Sequence, residues 1–202
     1  MNKTNDLFFT SVAGCVLAGG QSRRMGTDKA LLKVDGKTLI ETALERFSGL
    51  PEIFISAASA DSYVFTGFRI VPDELPGMGP LGGFIAALKA SKSDFVCFRP
   101  VDVPLVPAEL HLLLAKSCFG KDAAVPIWGG STEPLLACLS KTALPVLENL
   151  LASGKLKVSE TFPMLDMIYL DLNSSEIKSK FGEPSRYLVN VNDPKSFSEL
   201  VK

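Results

Sequence analysis

Short apolar runs alternate along this chain with longer segments of helical period, and that alternation restricts the fold more than any other feature of the sequence. Strands separated by helix-length segments do not close as tight hairpins. They line up in parallel, each crossover helix covering one face of the sheet. The expected fold class is therefore α/β, with three layers and a mostly parallel sheet between flanking helices. Strands are predicted at Val12 to Ala18, Glu52 to Ala57, Phe68 to Val71, Asp94 to Phe98, Ala123 to Ile127, Leu135 to Leu139 and Met167 to Leu172. Helices are predicted from about Thr38 to Phe47, where Leu39, Ala43, Leu44 and Phe47 form one apolar stripe, and from about Leu81 to Ala90 with Pro80 at its start. A third spans Thr142 to Ala152 and closes at Ser153-Gly154. Pro100 and Pro104 are expected to end the strand before them.

With 202 residues, 47% of them hydrophobic, the chain can bury one substantial core without metals or disulfides. A single domain over residues 1–202 is expected, with residues 1–10 as an N-terminal extension. Twenty-one lysines and arginines nearly balance 22 aspartates and glutamates. No overall field draws such a chain to nucleic acid or to a membrane, so any affinity for phosphate has to be local. No run approaches the ~18 apolar residues of a membrane helix. Cys15, Cys97, Cys118 and Cys138 are widely separated and mostly embedded in apolar runs. They read as buried small hydrophobes in a reducing cytoplasm, not as a disulfide frame or a zinc site. Val12-Ala13-Gly14-Cys15 has the form of a bacterial lipoprotein cleavage box, but Asn5 and Asp6 interrupt the apolar segment it would need.

The segment that carries chemistry is Leu17-Ala-Gly-Gly-Gln-Ser-Arg-Arg-Met-Gly-Thr-Asp-Lys29, directly after the first strand. Gly19, Gly20 and Gly26 let the backbone approach a ligand and turn its amides toward phosphate oxygens. Arg23, Arg24 and Lys29 add three cations to the same loop. The spacing is neither that of a Walker loop nor the G-x-G-x-x-G of a dinucleotide fold. An ordinary surface loop is the plain alternative; the concentration of glycines and cations at a strand edge favours a polyphosphate cradle. Asp102, in Arg99-Pro-Val-Asp-Val-Pro104, falls at the carboxyl end of a strand, the edge where open α/β sheets bind ligands. One aspartate facing a triphosphate is a sufficient protein contribution for magnesium, which prefers one or two carboxylates, substrate phosphates and waters. Asp73, beside Pro72, is the second candidate. Aspartates next to prolines also serve as turn or cap residues, and that role stays open for both.

The loop resembles, residue for residue, the Leu-Ala-Gly-Gly-x-Ser-x-Arg-Met-Gly-x-Asp-Lys signature of the molybdenum cofactor guanylyltransferases. Further matches follow in order: Asp73 with Pro76 to Gly83, Asp102 to Pro107, Glu133 to Ala137, and Val189-Asn-Val-Asn-Asp-Pro194. The resemblance implies a Rossmann-like nucleotidyltransferase fold and transfer of GMP from GTP to the phosphate of a molybdopterin cofactor, with release of pyrophosphate. It implies nucleotide contacts from Leu17, Ala18, Gly19, Gly20, Lys29, Asp73 and Asp102, with Lys29, Arg24 and Asp102 serving catalysis and Asp102 holding Mg2+. Asn190 and Asn192 match positions on the acceptor side. Gly20 favours GTP, because cytidylyltransferase relatives read Leu-Ala-Ala-Gly there. Molybdenum-insertion proteins and apo-molybdoenzymes are the transient partners that it implies.

Two positions depart from the family pattern. Arg99-Pro100-Val101 stands before Asp102 where the family usually has a small residue or cysteine, and Glu133 stands before Pro134 where it often has histidine. A carboxylate at the second position repels an acceptor phosphate unless it is turned away or paired. The only histidine, His111, is expected on a helix as a surface or half-buried residue, and Trp128 as an edge-packed aromatic after a strand. An acceptor phosphate is already anionic, so the reaction needs no general base. Three other readings remain open: a cytidylyltransferase, a sugar-phosphate nucleotidyltransferase of the same fold, and a GTP-binding regulatory module without turnover.

Overall fold

The computed structural model describes residues 10–19, 28–73 and 78–191. The proposed N-terminal extension (apart from Thr10), loop residues Gly20, Arg23, Arg24 and Gly26, the turn at 74–77, and Asn192 lie outside the described residues. The strands are β1 (Val12–Leu17), β2 (Lys33–Val34), β3 (Lys37–Thr38), β4 (Glu52–Ala57), β5 (Arg69–Pro72), β6 (Phe95–Pro100), β7 (Ala123–Trp128), β8 (Ser131–Thr132), β9 (Cys138–Ser140) and β10 (Met167–Asp171). The α-helices are α1 (Leu39–Glu45), α2 (Gly79–Ala90), α3 (Ala108–Cys118), α4 (Leu144–Ala152), α5 (Val158–Thr161), α6 (Ser175–Phe181) and α7 (Pro184–Tyr187). Apart from the small β2–β3 hairpin, the strands form one sheet in the order β10-β7-β9-β6-β1-β4-β5, with β8 added beside β7. The pairs β1–β4, β1–β6, β4–β5 and β7–β10 are parallel, and β9 runs antiparallel to both its neighbours.

The alternation of side chains along each strand splits the core in two. Val12 and Val16 of β1 point toward α1 and α3, where they join Leu39, Ile40, Phe47, Leu110 and Leu114. Ala13 and Cys15 point to the other face and meet α2 and α4 through Leu81, Phe84, Leu88 and Leu147. The three-layer α/β arrangement expected from the sequence follows directly. All four cysteines are free and buried. Cys15 is wholly buried in the central strand, and burial pushes its thiol pKa up. Gly14 marks a close approach: a Cβ there would lie 2.4 Å from Cγ of Phe47, so only glycine lets that ring sit against β1.

Several predicted boundaries move. The helix from Thr38 starts one residue later, because Thr38 is its cap: the Thr38 hydroxyl accepts from the Glu41 amide while the Glu41 carboxylate accepts from the Thr38 amide. Pro100 does not stop the strand at Phe98. It occupies the last position of β6 opposite Leu17, where only a carbonyl is needed, and the Val101 amide resumes the pairing by donating to the Leu17 carbonyl at 3.1 Å. The strand expected at Leu135 to Leu139 is instead Cys138–Ser140, because Leu136 is drawn into a turn by its amide bond to the Glu133 carbonyl. His111 is buried, against the exposed or half-buried position expected for it. Its slot beneath Phe47 accepts the ring edge to face, at a centroid distance of 4.7 Å.

Candidate active site

Strands β5, β4, β1, β6, β7 and β10 all end on one edge of the sheet, since each parallel pair and the two antiparallel steps through β9 leave them pointing the same way. Chain order reverses at β1. The chain moves outward from β1 through β4 to β5, then returns to place β6 on the other side of β1. Such a reversal opens a crevice at the carboxyl ends of the two central strands. Leu17, Ala18 and Gly19 leave β1 at this crevice, and Asp102 leaves β6 beside them. Asp73 follows β5, three strand spacings from β6, on the order of 14 Å along the same edge.

Lys29 returns to the crevice from the far end of the glycine-rich loop. Asp28 caps a short 3-10 turn by accepting from the Ala30 amide at 3.0 Å, and Lys29 is the first residue of that turn. The Lys29 Nζ then lies 2.6 Å from Asp102 Oδ2, with about a fifth of each side chain exposed. Asp102 Oδ1 accepts no hydrogen bond among the described residues. The two ends of the loop are joined by a residue that sequence reasoning did not single out. The Tyr63 hydroxyl donates to Asp28 Oδ2 at 2.7 Å and lies 3.3 Å from the Ala18 carbonyl. Nothing in the sequence marks this contact, which spans 45 residues to Ala18 and starts from a loop without periodicity.

Asp73 is held at the edge by its amide, which donates to the Ala57 carbonyl at 2.8 Å. Its carboxylate faces the start of α2, where a Cβ on Gly82 would lie 3.1 Å from Asp73 Oδ1; a Cβ on Gly83 would lie equally near the Ser56 hydroxyl. The two glycines therefore let the first turn of α2 settle onto the ends of β4 and β5. Asn190 is exposed, and the next residue, Val191, donates its amide to the Asp102 carbonyl at 2.8 Å. That bond places the Asn190 segment beside Asp102. Glu133, between β8 and β9, is half-buried, and burial followed by the negative charge of Asp102 raises its carboxyl pKa. Trp128 is half-buried at the end of β7 and packs against the core beneath the sheet.

The site brings together one ammonium, two neighbouring carboxyl groups and the main chain from Leu17 to Gly19 at a sheet switch point. Among the described residues no group of three or more His, Cys, Asp or Glu side chains is placed to hold a metal alone. A hard divalent cation fits the oxygen donors of Asp102 and Glu133 only if a substrate completes its shell. His111 stands apart from this chemistry, since burial and then the charge of Arg99 hold its imidazole well below the usual histidine range.

A model of the MobA-like NTP transferase domain matches residues 14–161, from β1 to the end of α5. The chain belongs to that family. It is 31% identical over 187 residues to a Carboxydothermus hydrogenoformans protein named "Probable molybdenum cofactor guanylyltransferase", covering 93% of each chain. A "Molybdenum cofactor guanylyltransferase" of Shewanella putrefaciens is 31% identical, covering 83% of this chain and 94% of the relative. Among solved structures, molybdopterin-guanine dinucleotide biosynthesis protein A from Archaeoglobus fulgidus superposes with a TM-score of 0.79 at 26% identity, covering 93% of this chain and 96% of that one. The MobA-like nucleotidyltransferase membership and α/β class agree with the sequence reading. No helix among the described residues is long and apolar enough to cross a membrane.

Proposed function

We propose that this MobA-like transferase moves GMP from GTP to the terminal phosphate of a molybdopterin-type acceptor. An acceptor phosphate oxygen forms a bond to the α-phosphorus, the bond from that phosphorus to the bridging oxygen breaks, and pyrophosphate leaves with the electron pair. The observation that carries the reading is the Lys29–Asp102 pair at 2.6 Å in the crevice between β1 and β6. A magnesium–nucleotide substrate presents the complementary charges, phosphate for Lys29 and metal for Asp102. Relatives whose names specify guanylyl transfer, aligned over most of the chain, support GTP as the donor.

Lys29 and the loop arginine Arg24 take the charge of the departing pyrophosphate, and amides of Leu17 to Gly20 meet the nucleotide phosphates. Asp73, at the far end of the edge, takes the guanosine side. Asp102, assisted by Glu133, would hold magnesium, and the ion would supply charge neutralisation for the phosphates. Burial and the neighbouring Asp102 raise the carboxyl pKa of Glu133, and a cation on the two carboxyl groups would offset their repulsion of an anionic acceptor. Asn190 and Asn192 line the acceptor side, and proteins that insert molybdenum or receive the finished cofactor are the matching transient partners. The acceptor is already an anion, so no side chain needs to remove a proton from it.

Pyrophosphate release from GTP, CTP, UTP and ATP with Mg2+, each with and without molybdopterin, tests the proposal. GTP with acceptor is expected to turn over alone. Preferential turnover of CTP, or acceptor-independent binding of GTP with no pyrophosphate, would replace the reading with a cytidylyltransferase or a regulatory module. In the active combination Lys29→Ala is expected to lower turnover by roughly 10²- to 10³-fold, the loss seen when one electrostatic donor is removed. Unchanged turnover would take Lys29 out of the mechanism.

A further inference from the structure

Three residues before Asp102, β6 carries a cation where the interior of an α/β domain ordinarily carries an apolar side chain. Arg99 is wholly buried and is among the largest fully enclosed side chains of the molecule. A guanidinium taken out of water is destabilising unless its charge and its donors are met. No carboxylate is paired with Arg99 among the described residues. Its partners are instead three main-chain carbonyls: Nη1 donates to Val106 at 2.9 Å, and Nη2 donates to Val103 at 2.7 Å and to Pro104 at 2.9 Å. Nε has no partner. Burial, followed by repulsion from Arg46, brings the guanidinium down to about 9, so it keeps its proton at neutral pH.

All three acceptors lie within four residues after Asp102. Apart from the burial of Val101, Val103 and Val106 in the core, this turn has few hydrogen bonds to hold it. Pro104 and Pro107 contribute no amide hydrogens, and the Val106 amide reaches the Val103 carbonyl at a long 3.4 Å. Upstream of Asp102 the Val101 amide is tied to Leu17 of β1, and the Asp102 carbonyl accepts from Val191. Arg99 supplies the third hydrogen-bonded restraint, on the downstream side. A planar guanidinium can span three carbonyls in one fork, whereas a lysine ammonium is a point charge on a flexible stem. A methyl-terminated side chain would leave three carbonyls of the turn without their donor.

We propose that Arg99 is a positioning residue for Asp102: its fork fixes the turn from Val101 to Val106 and so sets the carboxylate against Lys29, where the metal–nucleotide substrate docks. The proposal rests on the reading of Asp102 given under the proposed function. It is separable from a general structural role, because a fixed Asp102 governs the metal-dependent part of nucleotide binding and leaves the loop contacts alone.

The test measures GTP affinity calorimetrically without acceptor, in Mg2+ and in EDTA, for the full-length wild type, Arg99→Met, Arg99→Lys and Asp102→Asn, well below each unfolding temperature. The quantity read is the factor by which Mg2+ tightens GTP binding. Arg99→Met is expected to lose about tenfold or more of that factor, the usual penalty for removing a group that orients a metal ligand. Its affinity in EDTA is expected to stay at the wild-type value. Arg99→Lys is expected to lose part of the factor, at least about threefold on the same scale. A folded Arg99→Met with the wild-type factor, or one weakened equally in Mg2+ and EDTA, overturns the proposal. Should Arg99→Met fail to fold, Arg99→Lys decides, and a wild-type factor in that variant overturns it as well. An Asp102→Asn protein that keeps the full factor overturns the metal role of Asp102 itself, an outcome distinct from failure at Arg99.

Discussion

Two buried nitrogen-bearing side chains lie beneath the crevice, and they behave oppositely. Arg99 keeps its charge by feeding carbonyls, while His111 gives its charge up, because burial and the neighbouring Arg99 both disfavour the imidazolium. The depressed pKa of His111 has a defined sign. Above about pH 6.5 the imidazole is neutral in both folded and unfolded chains; below it the unfolded chain takes up a proton that the folded one refuses, and stability falls. Denaturant unfolding of wild type and His111→Leu at pH 7, 6 and 5 is expected to show the variant gaining relative to wild type as the pH falls, by up to about 1.4 kcal/mol per pH unit. A pH-independent difference would mean that the histidine takes up its proton equally in the folded and unfolded chains. At this scale the sequence marked Lys29 and Asp102 by their charge and their place after strands, and the fold sets the two side by side. The sequence was opaque where a role depends on distant chain. Arg99 follows an apolar strand and reads as the beginning of a loop, and Tyr63 has no local pattern to set it apart.

Among the elements, α1 shows how strongly local chemistry can be written. Thr38 and Glu41 satisfy each other's backbone amides, and the Leu39 amide donates to the Leu32 carbonyl, which joins this helix to the segment bearing Lys29. Thr38→Ala is expected to cost about 1 kcal/mol in denaturant unfolding, and a loss below a few tenths would show that the cap contributes nothing measurable. Strand and helix positions were largely readable because each carries its own period. The boundaries that moved were those set by partners: β6 extends through Pro100 because Leu17 lies opposite, and β9 is displaced because residues before it are held in a turn. A proline rule applied to one strand in isolation has no access to that neighbour.

Viewed as a whole, the sheet separates two kinds of polar cluster. At the edge opposite the crevice, Glu52 accepts from Arg69 at 2.7 Å, from the Ser91 hydroxyl at 2.7 Å and from the Lys92 amide at 2.9 Å, so a carboxylate there is saturated by the protein itself. At the crevice edge the carboxylates of Asp102 and Glu133 lie close enough for one to disfavour ionisation of the other. The strand order that creates this asymmetry could not be read from the sequence, which shows which segments are strands but not which of them lie side by side.

The reversed direction of β9 sets where the wall of the crevice can vary in this chain. Because β9 runs back between β6 and β7, the stretch from Gly129 to Ala137 turns around on the crevice edge without having to traverse a face of the sheet. That stretch carries Glu133, so the wall beside Asp102 is built from a short turn-forming segment. A change in its length or side chains would reshape that wall without rethreading the β1 and β6 framework.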